Sequence, residues 1–215
     1  MERKDIGFLF DLDGVLIDSE KEYSRMWALI NQEYPTKEPS LEKVIKGTTL
    51  DIILSTYYPD AEIQRNVKTR LYEMEDQMNY EYLPGAREFL SSLREKSLKC
   101  ALVTSSNDKK MKHLDDELPE LRGMFDYIVT ADQITKSKPD PEGYLLAAQK
   151  LGMTAKDCIV FEDSYQGVKA GKSSGAYVVG VKGTVDEALL AEYADIIVET
   201  LAEISLDKII ELLPE

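Results

Sequence analysis

Short runs of apolar residues bounded by polar turns recur along the chain, at 6–10, 98–103, 127–129, 158–161, 177–181 and 196–198. They are rich in Val, Ile and Phe and carry no alternating polar positions, the pattern of strands buried on both faces. Between them the apolar spacing turns helical, as over 86–96 behind Pro84-Gly85 and over 141–151, where Gly152 closes the run. Alternating strand and helix predicts an α/β fold, a parallel sheet with helices on both faces.

Residues from about 18 to 83 break this rhythm. They hold no strand pattern and read as helices over 20–34, 41–46, 50–57 and 61–82, punctuated by Pro35, Pro39, Gly47 and Pro59. The prediction is a helical insert at 18–84 within a sheet domain made from 1–17 and 85–215. A length of 215 residues allows one large domain, or one domain with a small insert. There is no internal repeat and no low-complexity stretch.

Charge narrows the set of partners. Lys and Arg number 26 against 40 Asp and Glu, a net charge of −14. That field argues against nucleic acid and against an anionic membrane surface. A phosphate ligand would need a local cation cluster or a metal to draw it in. Cys100 and Cys158 sit in apolar runs without metal-ligand spacing and read as buried strand residues. The charged start Met-Glu-Arg-Lys-Asp is no signal peptide, and no run approaches the roughly 20 apolar residues of a membrane span. The expectation is a soluble, cytoplasmic monomer acting on a small molecule.

Four strand ends carry candidate chemistry. Phe8-Leu9-Phe10 leads directly into Asp11-Leu12-Asp13-Gly14, two carboxylates where ligands of open parallel sheets bind. Acids that close repel unless a cation lies between them, which points to Mg²⁺; taken alone, the stretch also reads as a solvated acidic turn. Ile159-Val160-Phe161 likewise ends in Glu162-Asp163-Ser164. Ala101-Leu102-Val103 ends in Thr104-Ser105-Ser106-Asn107, hydroxyls and N–H groups suited to phosphate oxygens at a helix start. Lys136-Ser137-Lys138-Pro139-Asp140-Pro141 sets lysines in a stiff turn before a helix. Together they describe a phosphate and metal site spread over one sheet edge.

These four motifs, in this order, resemble the haloacid dehalogenase superfamily, and the helical insert after the first resembles its β-phosphoglucomutase-like branch with a C1-type cap. The resemblance covers essentially the whole chain. It implies a Rossmann-like core with an inserted all-helical cap and a Mg²⁺-dependent phosphatase acting on a small phosphorylated metabolite, most plausibly a sugar phosphate. It implies Asp11 as the nucleophile that forms an aspartyl-phosphate, Asp13 as general acid and base, and Thr104 and Lys138 as phosphoryl stabilisers. It further implies that Asp163 holds Mg²⁺ with the Asp11 carboxylate and the Asp13 carbonyl, with Glu162 in contact with the ion or one layer behind it. Dehalogenases and phosphonate hydrolases of this superfamily lack an acid two residues after the nucleophile, so Asp13 favours phosphate esters.

In related caps a loop dips over the active site. Lys46-Gly47-Thr48-Thr49 occupies that place here and is expected to contact substrate, although Lys46 also reads as a solvated helix end. The branch's hexose-phosphate mutases carry an arginine in this loop and a histidine on the first cap helix. Those places here hold Leu50 and Tyr23, which ranks a phosphatase above the alternative, a β-phosphoglucomutase-type mutase.

Other features read as structural. Gly171-Lys172-Ser173-Ser174-Gly175 has the Gly-x-Ser-x-Gly spacing of a nucleophile elbow, but a helix precedes it and a strand follows, the reverse of what an elbow needs. His113, the single histidine, is expected at an exposed position of a charged helix over 109–118. Met26, Trp27 and Tyr23 are expected to pack within the cap. The natural hinges of the insert lie near 16–20 and 83–85.

Overall fold

A computed structural model describes residues 6–211; 1–5 and 212–215, including the charged start, lie outside the described residues. The strands are β1 (Gly7–Phe10), β2 (Lys99–Val103), β3 (Tyr127–Val129), β4 (Cys158–Glu162), β5 (Tyr177–Val181) and β6 (Ile196–Val198). They form one parallel sheet in the order β3-β2-β1-β4-β5-β6. Phe8 pairs with Cys100 on one side and Ile159 on the other. The chain therefore builds outward from β1 to β3, then crosses to β4 on the opposite flank. Loops diverge at such a reversal and leave a crevice beyond the carboxyl ends of the strands. Asp11 sits at its base.

Helices cover both faces, as the strand composition requires. They are α1 (Glu20–Glu33), α2 (Leu41–Val44), α3 (Leu50–Tyr57), α4 (Ala61–Glu75), α5 (Ala86–Glu95), α6 (Asp108–Glu117), α7 (Glu142–Leu151), α8 (Tyr165–Ser174), α9 (Glu187–Leu190) and α10 (Leu206–Glu211). Phe8, Phe10 and Phe161 face one side, with Phe10 and Phe161 stacked at 4.6 Å and Phe89 of α5 edge-on at 5.4 Å to Phe161. Leu9, Ala101 and Val160 face the other, under Tyr144 and Ala148 of α7 and Val168 of α8. Each buried Phe, Leu and Val among these contributes about 1.5–3 kcal/mol by leaving water, so the strand ends that bear the site rest on a rigid base.

Helices α1 to α4 fall between β1 and β2, with α1 against α2 and α4, and α3 against α4. Asp60 caps α4 by accepting from the N–H groups of Glu62 and Ile63 at 2.8 and 3.0 Å. The helix expected over 61–82 stops at Glu75. Met78 and Tyr80 are buried, which kept the apolar pattern running, but the backbone beyond is claimed by the entry segment. Leu83 N–H donates to Leu16 O and Asp18 N–H to Glu81 O, both at 2.9 Å, and Ile17 bridges Tyr82 antiparallel. The exit connection thus begins two residues earlier than the expected 83–85, and the two connections are bonded to each other.

His113 is also not the exposed residue anticipated. It is half-buried, with Nε2 3.2 Å from Met78 O and its ring edge-on to Tyr80 at 5.7 Å. Helix α8 runs to Ser174 and ends at left-handed Gly175 before β5, so the Gly-x-Ser-x-Gly stretch is a helix end. Cys100 and Cys158 are free and buried. Among the described residues no helix is long and apolar enough to cross a membrane.

Candidate active site

Asp11 extends the sheet by one residue, its N–H donating to Phe161 O at 3.0 Å, and lines a cleft beyond the strand ends. Lys138, on the loop before α7, is buried beneath it. Its Nζ donates to Asp11 Oδ1 at 2.5 Å and to Glu162 Oε1, and lies 3.4 Å from Val103 O. Glu162, the last residue of β4, is fully enclosed. Oε1 also accepts from Tyr144 Oη at 2.7 Å; Oε2 accepts from the N–H groups of Asp163 and Ser164 at 3.1 and 3.3 Å and from Ser164 Oγ at 3.1 Å. Both Glu162 oxygens are occupied by protein donors.

Gly167, on α8, allows this enclosure. A Cβ there would lie 1.9 Å from Glu162 Oε1. Gly167→Ala should displace the carboxylate and Lys138 with it, lowering stability by about 2–3 kcal/mol. Urea unfolding beside wild type measures this, and an unchanged midpoint would show that Glu162 yields freely.

Asp11, Glu162 and Asp163 present ligand oxygens all within 4.8 Å of one another. Burial drives the Asp11 carboxyl up, Lys138 pulls it down, Glu162 and Asp13 push it up again, and it settles at about 8. Asp163 is raised well above the usual carboxylate range by burial and by Glu20, Glu162 and Asp11. Buried carboxyls this close resist ionising together, and a hard divalent cation with oxygen ligands relieves the conflict. With Glu162 saturated, the oxygens that fit such an ion are those of Asp11 and Asp163. Gly14 packs onto this corner at φ +79°, and a Cβ there would meet Asp163 Oδ2 at 1.8 Å.

Asp13 lines the same cleft with different partners. Lys110 Nζ, from α6, donates to both carboxylate oxygens at 2.6 and 2.7 Å; Ser106 Oγ donates at 3.2 Å, and Ser19 Oγ donates as well. Burial pushes Asp13 up, but Lys110 and the two hydroxyls outweigh it and leave the carboxyl below its ordinary value. The two aspartates therefore differ: Asp13 is held toward its ionised form and Asp11 toward its protonated form.

The helical insert closes over this floor. Ser105 Oγ donates to Gly47 O at 2.8 Å, Thr49 N–H to Ser137 Oγ at 3.0 Å, and Asn107 Nδ2 to Tyr72 Oη at 2.9 Å. Lys46 and Thr48 line the cleft, with Lys46 bonded to Glu20 and, at 3.2 Å, to Ser24 Oγ.

Residues 8–181 match the family described as haloacid dehalogenase-like hydrolase. The chain belongs to the haloacid dehalogenase-like hydrolases. Among its relatives, Hexitol phosphatase A of Escherichia coli is 32% identical over 94% of each chain. A phosphorylated carbohydrates phosphatase of Thermotoga maritima is 35% identical over 78% of this chain and 80% of its own. The solved β-phosphoglucomutase of Clostridium difficile superposes with a TM-score of 0.78 over 95% of each chain at 24% identity, a likeness of fold.

Within this haloacid dehalogenase-like fold, Asp11, Asp13, Ser105, Ser106, Asn107, Lys46, Gly47, Thr48 and Asp163 all line one cleft, with Lys138 and Glu162 directly beneath Asp11. Thr104 is buried, its Oγ1 accepting from Ser106 N–H at 3.0 Å, so that N–H is not the free donor the sequence promised. Thr49 is buried beside the cleft, and its backbone N–H bridges the insert to Ser137 Oγ. Met26 and Trp27 pack within the insert as expected, though Trp27 also reaches the cleft. Sequence reasoning missed Lys110, Ser19, Glu20, Glu75 and Tyr144.

Proposed function

We propose that this chain is a Mg²⁺-dependent phosphatase that hydrolyses a small phosphorylated carbohydrate through an aspartyl-phosphate on Asp11. The observation that carries the reading is the pair of aspartates two residues apart with opposite environments, Asp11 on Lys138 and Asp13 on Lys110. The names of the two relatives above support the substrate class.

With Oδ1 held by Lys138, the other oxygen of Asp11 is the one free to attack phosphorus in line with the ester oxygen. The P–O ester bond breaks, and the leaving oxygen takes a proton from Asp13. An incoming phosphate dianion raises the proton affinity of Asp13, so the carboxylate that is ionised in the structure is protonated as substrate arrives. Asp13 then takes a proton from the water that cleaves the acyl phosphate, and inorganic phosphate leaves. Lys110, Ser19 and Ser106 hold Asp13 in place for both transfers, and Thr104 shapes the turn that presents Ser105 and Ser106. Asp11, Asp163 and the Asp13 carbonyl would hold Mg²⁺, which would supply positive charge to the phosphoryl oxygens. Glu162, both of whose oxygens already accept hydrogen bonds, would orient Lys138 instead of ligating the ion. The insert, residues 18–84, serves as a cap that excludes bulk water when docked as described.

Phosphate release across sugar, polyol, nucleoside and acid phosphates tests this. Release should be confined to carbohydrate esters, vanish with EDTA and return with Mg²⁺. Isomerisation of β-glucose 1-phosphate faster than its hydrolysis would replace the reading with a mutase; Leu50 and Tyr23, both at the cleft, argue for hydrolysis.

A further inference from the structure

Phosphoryl charge is handled at the floor of the cleft, by Lys138 and the acidic corner. The opposite half, where the leaving group of a bound ester must lie, has a different balance. Lys46 and Lys110 are the cations in the lining, which contains no arginine. Neither is available to a second anion, because Lys46 is bonded to Glu20 and Lys110 to both oxygens of Asp13. Against these two ammonium groups stand four carboxylates, Asp13, Glu20, Glu42 and Glu75. The excess is negative by two.

Neither Glu42 nor Glu75 has a cation bonded to it, and of the two Glu75 is the buried one. It sits in the last turn of α4, is 7% exposed and lines the cleft. Its Oε1 accepts from Tyr23 Oη at 2.7 Å, and the Tyr23 ring lies over Lys110 Nζ at 4.3 Å. Glu75 is thereby fixed beside the Lys110–Asp13 pair. Trp27, Leu50, Ile53 and Leu71 supply an apolar wall in the same half. A wall of this kind suits the C–H face of a sugar or polyol, and fixed carboxylates accept from hydroxyls. A carboxylate or a second phosphate at that place would meet like charge in a partly dehydrated cleft.

We infer that Glu75 is a specificity-determining residue that selects monophosphates with an uncharged, polyhydroxylated leaving group and turns away leaving groups bearing a second anion. The inference rests on the phosphatase reading and names the substrate class of that same site.

The test compares kcat/KM for sorbitol 6-phosphate and glucose 6-phosphate with that for 6-phosphogluconate and fructose 1,6-bisphosphate, in wild type, Glu75→Gln and Glu75→Lys. Wild type should favour the uncharged pair by at least about tenfold, and less at high salt, since screening weakens charge repulsion. Glu75→Gln, close to isosteric, should narrow the ratio, and Glu75→Lys should bring it to about one or invert it. Equal use of charged and uncharged leaving groups by wild type would overturn the inference, as would variants that lower all four substrates in proportion. Turnover of p-nitrophenyl phosphate with no such preference would overturn this inference alone. No release even from p-nitrophenyl phosphate would overturn the phosphatase reading and the inference with it.

Discussion

Asp11→Asn should abolish phosphate release while raising thermal stability. The amide cannot form the acyl phosphate, so loss of turnover on the order of 10⁴-fold or more is expected. Stability moves the other way because the folded protein resists ionising Asp11. Its carboxyl lies at about 8, above the ordinary 3.8, through burial and the adjoining Glu162 and Asp13, which Lys138 only partly offsets. A carboxyl raised by folding binds its proton more tightly in the native state, so wild type loses stability as pH rises from the unfolded value to the folded one. Asparagine has no such loss, and Lys138 keeps Glu162 as its partner. Melting both proteins in EDTA from about pH 4 to about pH 9 should show a gap that opens through that window and is widest at its alkaline end. A variant that melts below wild type at neutral pH would contradict the account of the acidic corner.

Lys138→Met should damage both properties together. The ammonium joins Asp11 and Glu162 in a site closed to water, and its own proton is held more tightly than usual because attraction to both acids outweighs burial. Removing one partner of a buried ionic cluster costs about 3–5 kcal/mol, which for a chain of this size lowers Tm by roughly 10 °C. Turnover should drop by about 10³-fold, the order seen when a fixed donor to developing charge is lost. Adding Glu162→Gln separates the two effects. The double variant should regain much of the stability, since the buried carboxylate it neutralises is the one stranded by the first change, and none of the activity. Recovery of turnover in the double variant would mean that Lys138 acts only as a structural counter-ion.

The sequence carries the sheet because its central strands are buried on both faces. Gly7-Phe8-Leu9-Phe10 and Cys158-Ile159-Val160-Phe161 have no polar face to confuse their assignment, and what ends them is the chemistry itself. Parallel pairing then aligns Phe10 with Phe161 and brings the next residues, Asp11 and Glu162, together. The gathering of the four motifs was therefore legible. What each side chain holds was not. Lys110 stands in Lys109-Lys110-Met111-Lys112-His113, where every local cue describes a solvated face, and its partner Asp13 lies 97 residues earlier. Only tertiary packing distinguishes it from Lys109, which pairs with exposed Asp76. Glu162 and Asp163 are indistinguishable as a dipeptide; Tyr144 and Lys138, from a different segment, claim the first. The overrun past Glu75 has the same origin, since period alone cannot show that another stretch of backbone competes for the helix's hydrogen bonds.

The bonded pair of connections, 16–18 against 81–83, sets how this architecture tolerates change. The chain leaves the sheet domain and re-enters it at almost one point, so the sheet domain experiences everything between as a loop whose ends are already closed. Lengthening, shortening or exchanging α1 to α4 adds little closure entropy, because the ends stay bridged whatever lies between them. A lineage can therefore rewrite the insert without disturbing the strand ends that hold Asp11 and Glu162 or the loop before α7 that holds Lys138. One sheet edge can in this way carry inserts of many lengths and sequences.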